Sequence, residues 1–159
     1  MVQNDTLARS ILFEKLSEEQ LDEVLKLCVE REYAPQREMF EEGDPADYLY
    51  LVEQGKIAIE MALPSSTSPA RKRATVEVAG EGEVVGWSAL VEPYQYTFSA
   101  TTLERTKVIA IDGPGLRRLL DQNPRIGYQV SKGLFSVVSS RLNATRLLLI
   151  SERAWAQAS

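Results

Sequence analysis

The hydrophobic period of this chain changes twice, and that change limits the folds open to it. From about Val29 to Ile111 apolar residues alternate at a period of two, while the segments on either side repeat at helical spacing. The alternating stretch holds Met39-Phe40, Tyr48 to Val52, Ile57 to Met61, Thr75 to Val78, Val84-Val85, Tyr96 to Thr102 and Lys107 to Ile111. Turn-forming runs separate them: Glu42-Gly43-Asp44-Pro45, Glu53-Gln54-Gly55-Lys56, Gly80-Glu81-Gly82-Glu83 and Glu104-Arg105-Thr106. Many short strands joined by such turns predict a sandwich or barrel. The polar run Pro64 to Ala70 predicts a mobile loop.

The flanks read as helices. Leu7, Ile11 and Leu12 recur at helical spacing, and Ser17-Glu18-Glu19-Gln20 has the form of a capping box. Leu21, Val24, Leu25 and Cys28 then form one stripe, which places Cys28 on the apolar face of a helix as a buried core thiol. After the alternating stretch, Asp112-Gly113-Pro114 predicts a cap and first turn, with a short helix through Leu119-Leu120. Asn123-Pro124 restarts the chain into a long helix to about Ala154. The predicted organisation is one domain: a helical lead-in over about 5–28, a β-roll over about 29–111 and C-terminal helices over about 113–154.

Composition narrows the function. The 159 residues, 44% hydrophobic and 26% charged, suit one globular domain. A net charge of -5 gives no broad positive field for nucleic acid. With no histidine, Ser-His-Asp and Cys-His nucleophilic sites and His-ligated metal centres are excluded. Glu41-Glu42 and the Glu81, Glu83 pair fall in turns without a nucleophile or metal ligand beside them, so they read as solvated turns. No enzymatic activity and no cofactor are expected. The single cysteine allows no internal disulfide. Neither a leader peptide nor an apolar run of membrane-spanning length, about 20 residues, is read from the sequence, and a cytoplasmic location is expected.

The most informative stretch is Val85-Gly86-Trp87-Ser88-Ala89-Leu90, followed by Tyr94-Gln95-Tyr96-Thr97-Phe98-Ser99-Ala100-Thr101. It resembles the phosphate-binding cassette of the cyclic-nucleotide-binding domains, Gly-Glu-x-Ala-Leu followed by Arg-x-Ala-Thr. Two further segments extend the resemblance over essentially the whole chain. Val52 to Ile57 is similar to the family hairpin around a turn glycine, and Gly82 to Gly86 to the entry into the cassette. The resemblance implies a mainly β fold with flanking helices: a jelly-roll-like barrel with N-terminal helices and a long C-terminal helix. It also implies a regulatory sensor domain of the catabolite-activator or kinase-regulatory-subunit kind.

The gripping residues of that cassette are missing. Trp87 stands where the family has the glutamate for the ribose hydroxyl, and Tyr96 or Thr97 where it has the arginine for the cyclic phosphate. Removing one partner of a buried charge costs about 3–5 kcal/mol, which is about a hundredfold or more in affinity. Ordinary cAMP binding is therefore expected to be weak or absent, with a genuine cAMP or cGMP receptor as a further alternative. Arg105 reads as a solvent-exposed turn residue and Arg71-Lys72-Arg73 as a solvated hairpin end, so neither is assigned to the pocket.

The candidate ligand-binding set is Gly86, Trp87, Ser88, Ala89, Leu90, Tyr96, Thr97, Phe98 and Ser99. Its hydroxyls, with Tyr94 beside them, and the Trp87 face suit a neutral or weakly anionic small molecule. Alternatively, Trp87 and Phe98 fill the old pocket and the chain is a ligand-free dimerisation or protein-interaction module. The family's long C-terminal helix often forms a dimer seam. A homodimer is expected here through Val130, Leu134, Val137, Val138, Leu142 and Leu149, with a protein partner as a second kind of contact. In the transcription-factor branch of the family a helix-turn-helix domain follows that helix. Ser151 to Ser159 cannot build one, so no operator binding is expected of this chain.

Overall fold

The computed structural model describes residues 1–64 and 72–158. Among the described residues, eight strands form two antiparallel sheets of four. The strands are β1 (Cys28–Tyr33), β2 (Glu38–Phe40), β3 (Tyr48–Gln54), β4 (Ile57–Ala62), β5 (Arg73–Ala79), β6 (Val84–Val85), β7 (Ser99–Thr102) and β8 (Thr106–Asp112). One sheet runs β1-β8-β3-β6 and the other β2-β7-β4-β5. Helices α1 (Asn4–Ala8) and α2 (Glu18–Leu25) precede the strands, and α3 (Gly113–Gln122) and α4 (Pro124–Ala158) follow them. This is the mainly β architecture with flanking helices that the alternation and the resemblance imply.

Val108, Ile109, Ala110 and Ile111 of β8 are all fully buried. Successive strand residues point to opposite faces, so both faces of β8 are covered. The roll lies on one side. Leu7, Val24, Leu116, Ile126 and Val130, from the four helices, belong to the same core.

Local chemistry sets the helix starts. The Ser17 hydroxyl accepts from the Gln20 amide while the Gln20 side chain accepts from the Ser17 amide. The Asp112 carboxylate accepts from the Gly115 amide at 2.8 Å and opens α3, with Pro114 in the first turn. Helix α4 then runs 35 residues, to Ala158 rather than the expected 154. Its first turns lie close on the N-terminal segment. A Cβ on Gly133 would stand 2.5 Å from the Ile11 carbonyl oxygen and 2.8 Å from Leu12 Cα.

Three expectations need correction. Helix α1 ends at Ala8 and the chain turns through 9–16, leaving Ile11 exposed while Leu12 is buried. Only Ser99–Thr102 of the expected strand from Tyr96 is a β-strand, and β1 was not among the strands read from the sequence. Cys28 does not sit on α2, which ends at Leu25; it opens β1. The expected loop from Pro64 to Ala70 lies outside the described residues except for Pro64, as does Arg71 of the basic triplet.

Cys28 is nonetheless sheltered. Its thiol donates to the Val24 carbonyl, with sulfur and oxygen 3.3 Å apart, and burial pushes its pKa from 9.0 up to about 12. The raised value means that the fold favours the neutral thiol. That contribution is complete below pH 9 and is lost as pH rises toward 12. Native Cys28 should thus react with an aromatic disulfide reagent at neutral pH roughly a hundredfold or more slowly than the urea-unfolded chain, as read by release of the coloured thiolate. Equal rates in both states would refute the sheltered thiol.

Candidate functional site

The cassette begins where β6, paired with Tyr50 and Leu51 of β3, meets Gly86. Gly86 has φ 84 and ψ 34, in the left-handed region. A Cβ there would lie 3.1 Å from the Tyr96 ring and 3.2 Å from the Tyr48 carbonyl oxygen. Conformation and space therefore both require glycine. Trp87–Leu90 form a single 3-10 turn, with Ser88 and Ala89 buried beneath it. Arg117 of α3 donates to the Ala89 carbonyl at 2.6 Å, and its guanidinium lies 3.9 Å over the Tyr94 ring. The turn is thereby tied to the helix that follows the roll.

The returning arm pairs with the turn between β2 and β3 rather than with a full strand. Tyr96 donates its amide to the Asp44 carbonyl and accepts from the Gly43 amide, while Tyr94 accepts from the Ala46 amide. This pairing turns the Tyr96 side chain inward. Its hydroxyl donates to the Tyr48 carbonyl at 2.6 Å and accepts from the Tyr48 amide at 3.3 Å. Its ring stacks on Phe40 with centroids 3.6 Å apart and planes 13° from parallel. Burial pushes its phenol up to about 12. Burial likewise raises the neighbouring Tyr50.

Phe98 extends the cluster, tilted against Phe40 at 5.8 Å and meeting the edge of Trp87 at 6.1 Å and 73°. Counted back from Ala100-Thr101, the arginine place of Arg-x-Ala-Thr is Phe98. Whichever of these residues stands there, the position offers no cation.

The structure thus brings Gly86, Trp87, Tyr96 and Phe98 into one contact group with Phe40 and Tyr50. Ser88 and Ala89 lie under the turn and Leu90 packs against the core. Ser99 is turned away, its hydroxyl accepting from the Glu42 amide at 2.9 Å. Thr97 is exposed. On the β2–β3 side of the Tyr96 ring, a cavity of about 280 Å³ is lined by Arg31, Phe40, Asp44, Asp47, Tyr48 and Tyr96 among others. Arg31 stacks 4.1 Å over Tyr48 there.

Three charged residues meet where α4 passes the Trp87 turn, the mouth of the cassette, and were not found from the sequence. Glu77 lies on β5 opposite Ile59 of β4. It shares a face with the fully buried Ala79, while Val76 and Val78 point outward at 46% and 44% exposure. Arg141 of α4 forms an ion pair with Glu77 and a second with Glu83 at 3.2 Å. It also donates to the Val84 carbonyl at 3.3 Å, and its guanidinium lies 5.4 Å from the centre of the Trp87 ring. The signal available in the sequence was Glu77 itself, a charge within a strand next to alternating valines. The other considered cations lie elsewhere: Arg105 pairs with Glu32 and Arg73 with Glu38 and Glu41.

The family model "Cyclic nucleotide-binding domain" matches residues 30–123, more than half of the chain. The chain belongs to that family. It is 24% identical over 142 residues to a CRP-like cAMP-activated global transcriptional regulator of Mycobacterium tuberculosis, covering 89% of this chain but only 59% of the relative. Among solved structures, it matches the N-terminal domain of a transcriptional regulator from Streptomyces coelicolor at TM-score 0.66 and 29% identity, covering 91% of this chain and 95% of that one. A cyclic nucleotide-binding domain from Methylobacillus flagellatus shares the fold at TM-score 0.80 and 18% identity, covering 94% and 83%. Among the described residues of this family member, no helix is long and apolar enough to cross a membrane.

Proposed function

We propose that this family member is a non-enzymatic regulatory domain that does not bind cAMP in the usual way and that signals through pairing of α4 with a second copy. The observation that carries the reading is the commitment of Tyr96. Its hydroxyl is held by the Tyr48 backbone and its ring by Phe40. At the arginine place Phe98 offers no cation, and Trp87 replaces the ribose-binding carboxylate. The neighbouring cavity of about 280 Å³ is lined by Asp44 and Asp47 as well as Arg31, and Arg31 is already stacked on the Tyr48 ring. The aromatic contacts favour the ligand-free interaction module over a sensor for a neutral metabolite.

The seam proposed here is narrower than the one expected from the sequence. Val130 is fully buried, and Leu134 and Val137 pack on the chain's own core. Val130 is therefore unavailable to a partner. Val138, Leu142 and Leu149 remain, at 38%, 48% and 49% exposure, and Phe135, which the expected seam leaves out, joins them at 69%. Their spacing of three, four and seven is that of a helix-pairing seam. Four such side chains from each copy, at about 1.5–3 kcal/mol each, offset the roughly 4–15 kcal/mol lost on association.

Calorimetry and light scattering test the two halves separately. Titration with cAMP or cGMP should give no saturable heat at sub-millimolar nucleotide, and micromolar binding would refute the first half. At tens of micromolar protein the wild type should be a dimer and Leu142→Asp a monomer, because the substitution places a carboxylate in the seam. A monomeric wild type would refute the second half. Thermal-shift screening over nucleotides and small metabolites separates the remaining readings: a stabilising hit favours the sensor, and a blank panel the interaction module.

A further inference from the structure

Arg141 links the long helix to the cassette turn and to β5. Its side chain is only 16% exposed although the rest of α4 beyond it is open to solvent. It meets four groups from three parts of the roll: Glu77 on β5, Glu83 in the turn before β6, the Val84 carbonyl and the Trp87 face. Two carboxylates, a carbonyl and an indole face are the complement of a planar guanidinium, which donates in a fork and stacks on aromatic rings. The same groups oppose a cyclic phosphate, because its charge would face two carboxylates of like sign.

We propose that the mouth between the cassette and α4 is a guanidinium site, filled by the chain's own Arg141. The residue acts as a built-in ligand, closing the mouth and holding α4 against the roll without a nucleotide. The proposal rests on the reading of the cassette given above and adds what occupies the mouth and how the helix is held. Trp87 has a role in it: an indole at the glutamate position provides the face over which the guanidinium lies. Glu77 also has one, since its inward placement on β5 aims a carboxylate at α4 rather than at solvent.

The test uses the full chain carrying Trp155→Phe, so that Trp87 is the only indole. Arg141→Ala in this background should shift Trp87 emission and speed amide exchange over 138–150 by about tenfold, because the helix opens locally more often. Guanidinium chloride at low millimolar concentration, compared with sodium chloride at equal ionic strength, should then reverse the emission change saturably, while the exchange, which needs the tether to α4, stays fast. It should not do so when Glu77→Gln is added. Glu83→Gln alone, which leaves Arg141 and Glu77 in place, should move exchange in the same direction by about two- to threefold.

Unchanged exchange over 138–150 in Arg141→Ala would overturn the proposal. So would a guanidinium response that is unaffected by Glu77→Gln. If Arg141→Ala lowers the folded fraction, the Glu83→Gln exchange rates decide, and no change there overturns the proposal. The outcomes remain separable from those for the cassette: micromolar cAMP binding by the wild type removes the cassette reading, while the exchange and rescue measurements judge Arg141 independently.

Discussion

Phe40→Ala should lower the free energy of unfolding by about 3–5 kcal/mol, read as a drop in the urea midpoint at unchanged slope. Phe40 is 6% exposed and is the ring on which the cassette is assembled. It stacks on Tyr96 at 3.6 Å and contacts Tyr50 at 5.9 Å and Phe98 at 5.8 Å. Truncation removes the dispersion and burial of one large side chain and leaves a void among three other rings. Tyr96 would keep its hydrogen bond to Tyr48 but lose the surface that orients it. Trp87 emission should therefore move to longer wavelength before global unfolding, since Phe98 links the two rings. A loss below about 1 kcal/mol, typical of an exposed aromatic, would show that the cassette does not depend on this stack.

Gly133→Leu should be nearly as damaging, at about 3 kcal/mol, the upper end for forcing atoms into a packed core. The obstruction is backbone, not a side chain that can swing away. The nearest atoms to an added Cβ are the Ile11 carbonyl oxygen at 2.5 Å and Leu12 Cα at 2.8 Å. Helix α4 would have to lift from the N-terminal segment, uncovering Leu12 and Val130, which are almost fully buried in the wild type. Gly80→Ala is the matched control. Nothing lies within 4 Å of its added Cβ and its φ is not in the left-handed region, so its effect should stay within about 0.5 kcal/mol. Urea denaturation of the three proteins checks both statements. Equal midpoints for Gly133→Leu and Gly80→Ala would contradict the close approach of α4.

What the sequence made legible follows from how local each determinant is. The Ser17–Gln20 box and the Asp112 cap are settled within three residues, so their side-chain chemistry could be read directly. Cys28 was misplaced because it continues the helical phase of Leu21, Val24 and Leu25, while the break at Lys26-Leu27 contains no glycine or proline. Tyr96 to Phe98 alternate as a strand would, yet the backbone partners of Tyr94 and Tyr96 belong to the turn at 43–46. Trp87 stood out because the frame around Gly86 sets an expectation that it breaks, while the arginine place, read as Tyr96 or Thr97, falls at Phe98 when counted from Ala100-Thr101. The orientation of β5 was not legible. Alternation gives two faces, and the valines at 76 and 78 would by hydrophobicity have been placed inward, where Glu77 lies instead. Arg141 was invisible for a simpler reason: its carboxylate partners Glu83 and Glu77 are 58 and 64 positions away, and nothing local to α4 marks it.

The great length of α4 has a mechanical consequence. Past Arg141 the helix has 17 further residues to Ala158, an arm of about 25 Å at 1.5 Å per residue. Helix α4 is held below that arm by the N-terminal segment at Gly133 and by the roll at Arg141, so the two contacts act as a fulcrum. A tilt of about 10° there would swing the far end by about 4 Å over an arm of this length. A small change of angle at the base of α4 is therefore enlarged along its length into a displacement of several ångströms at Ala158.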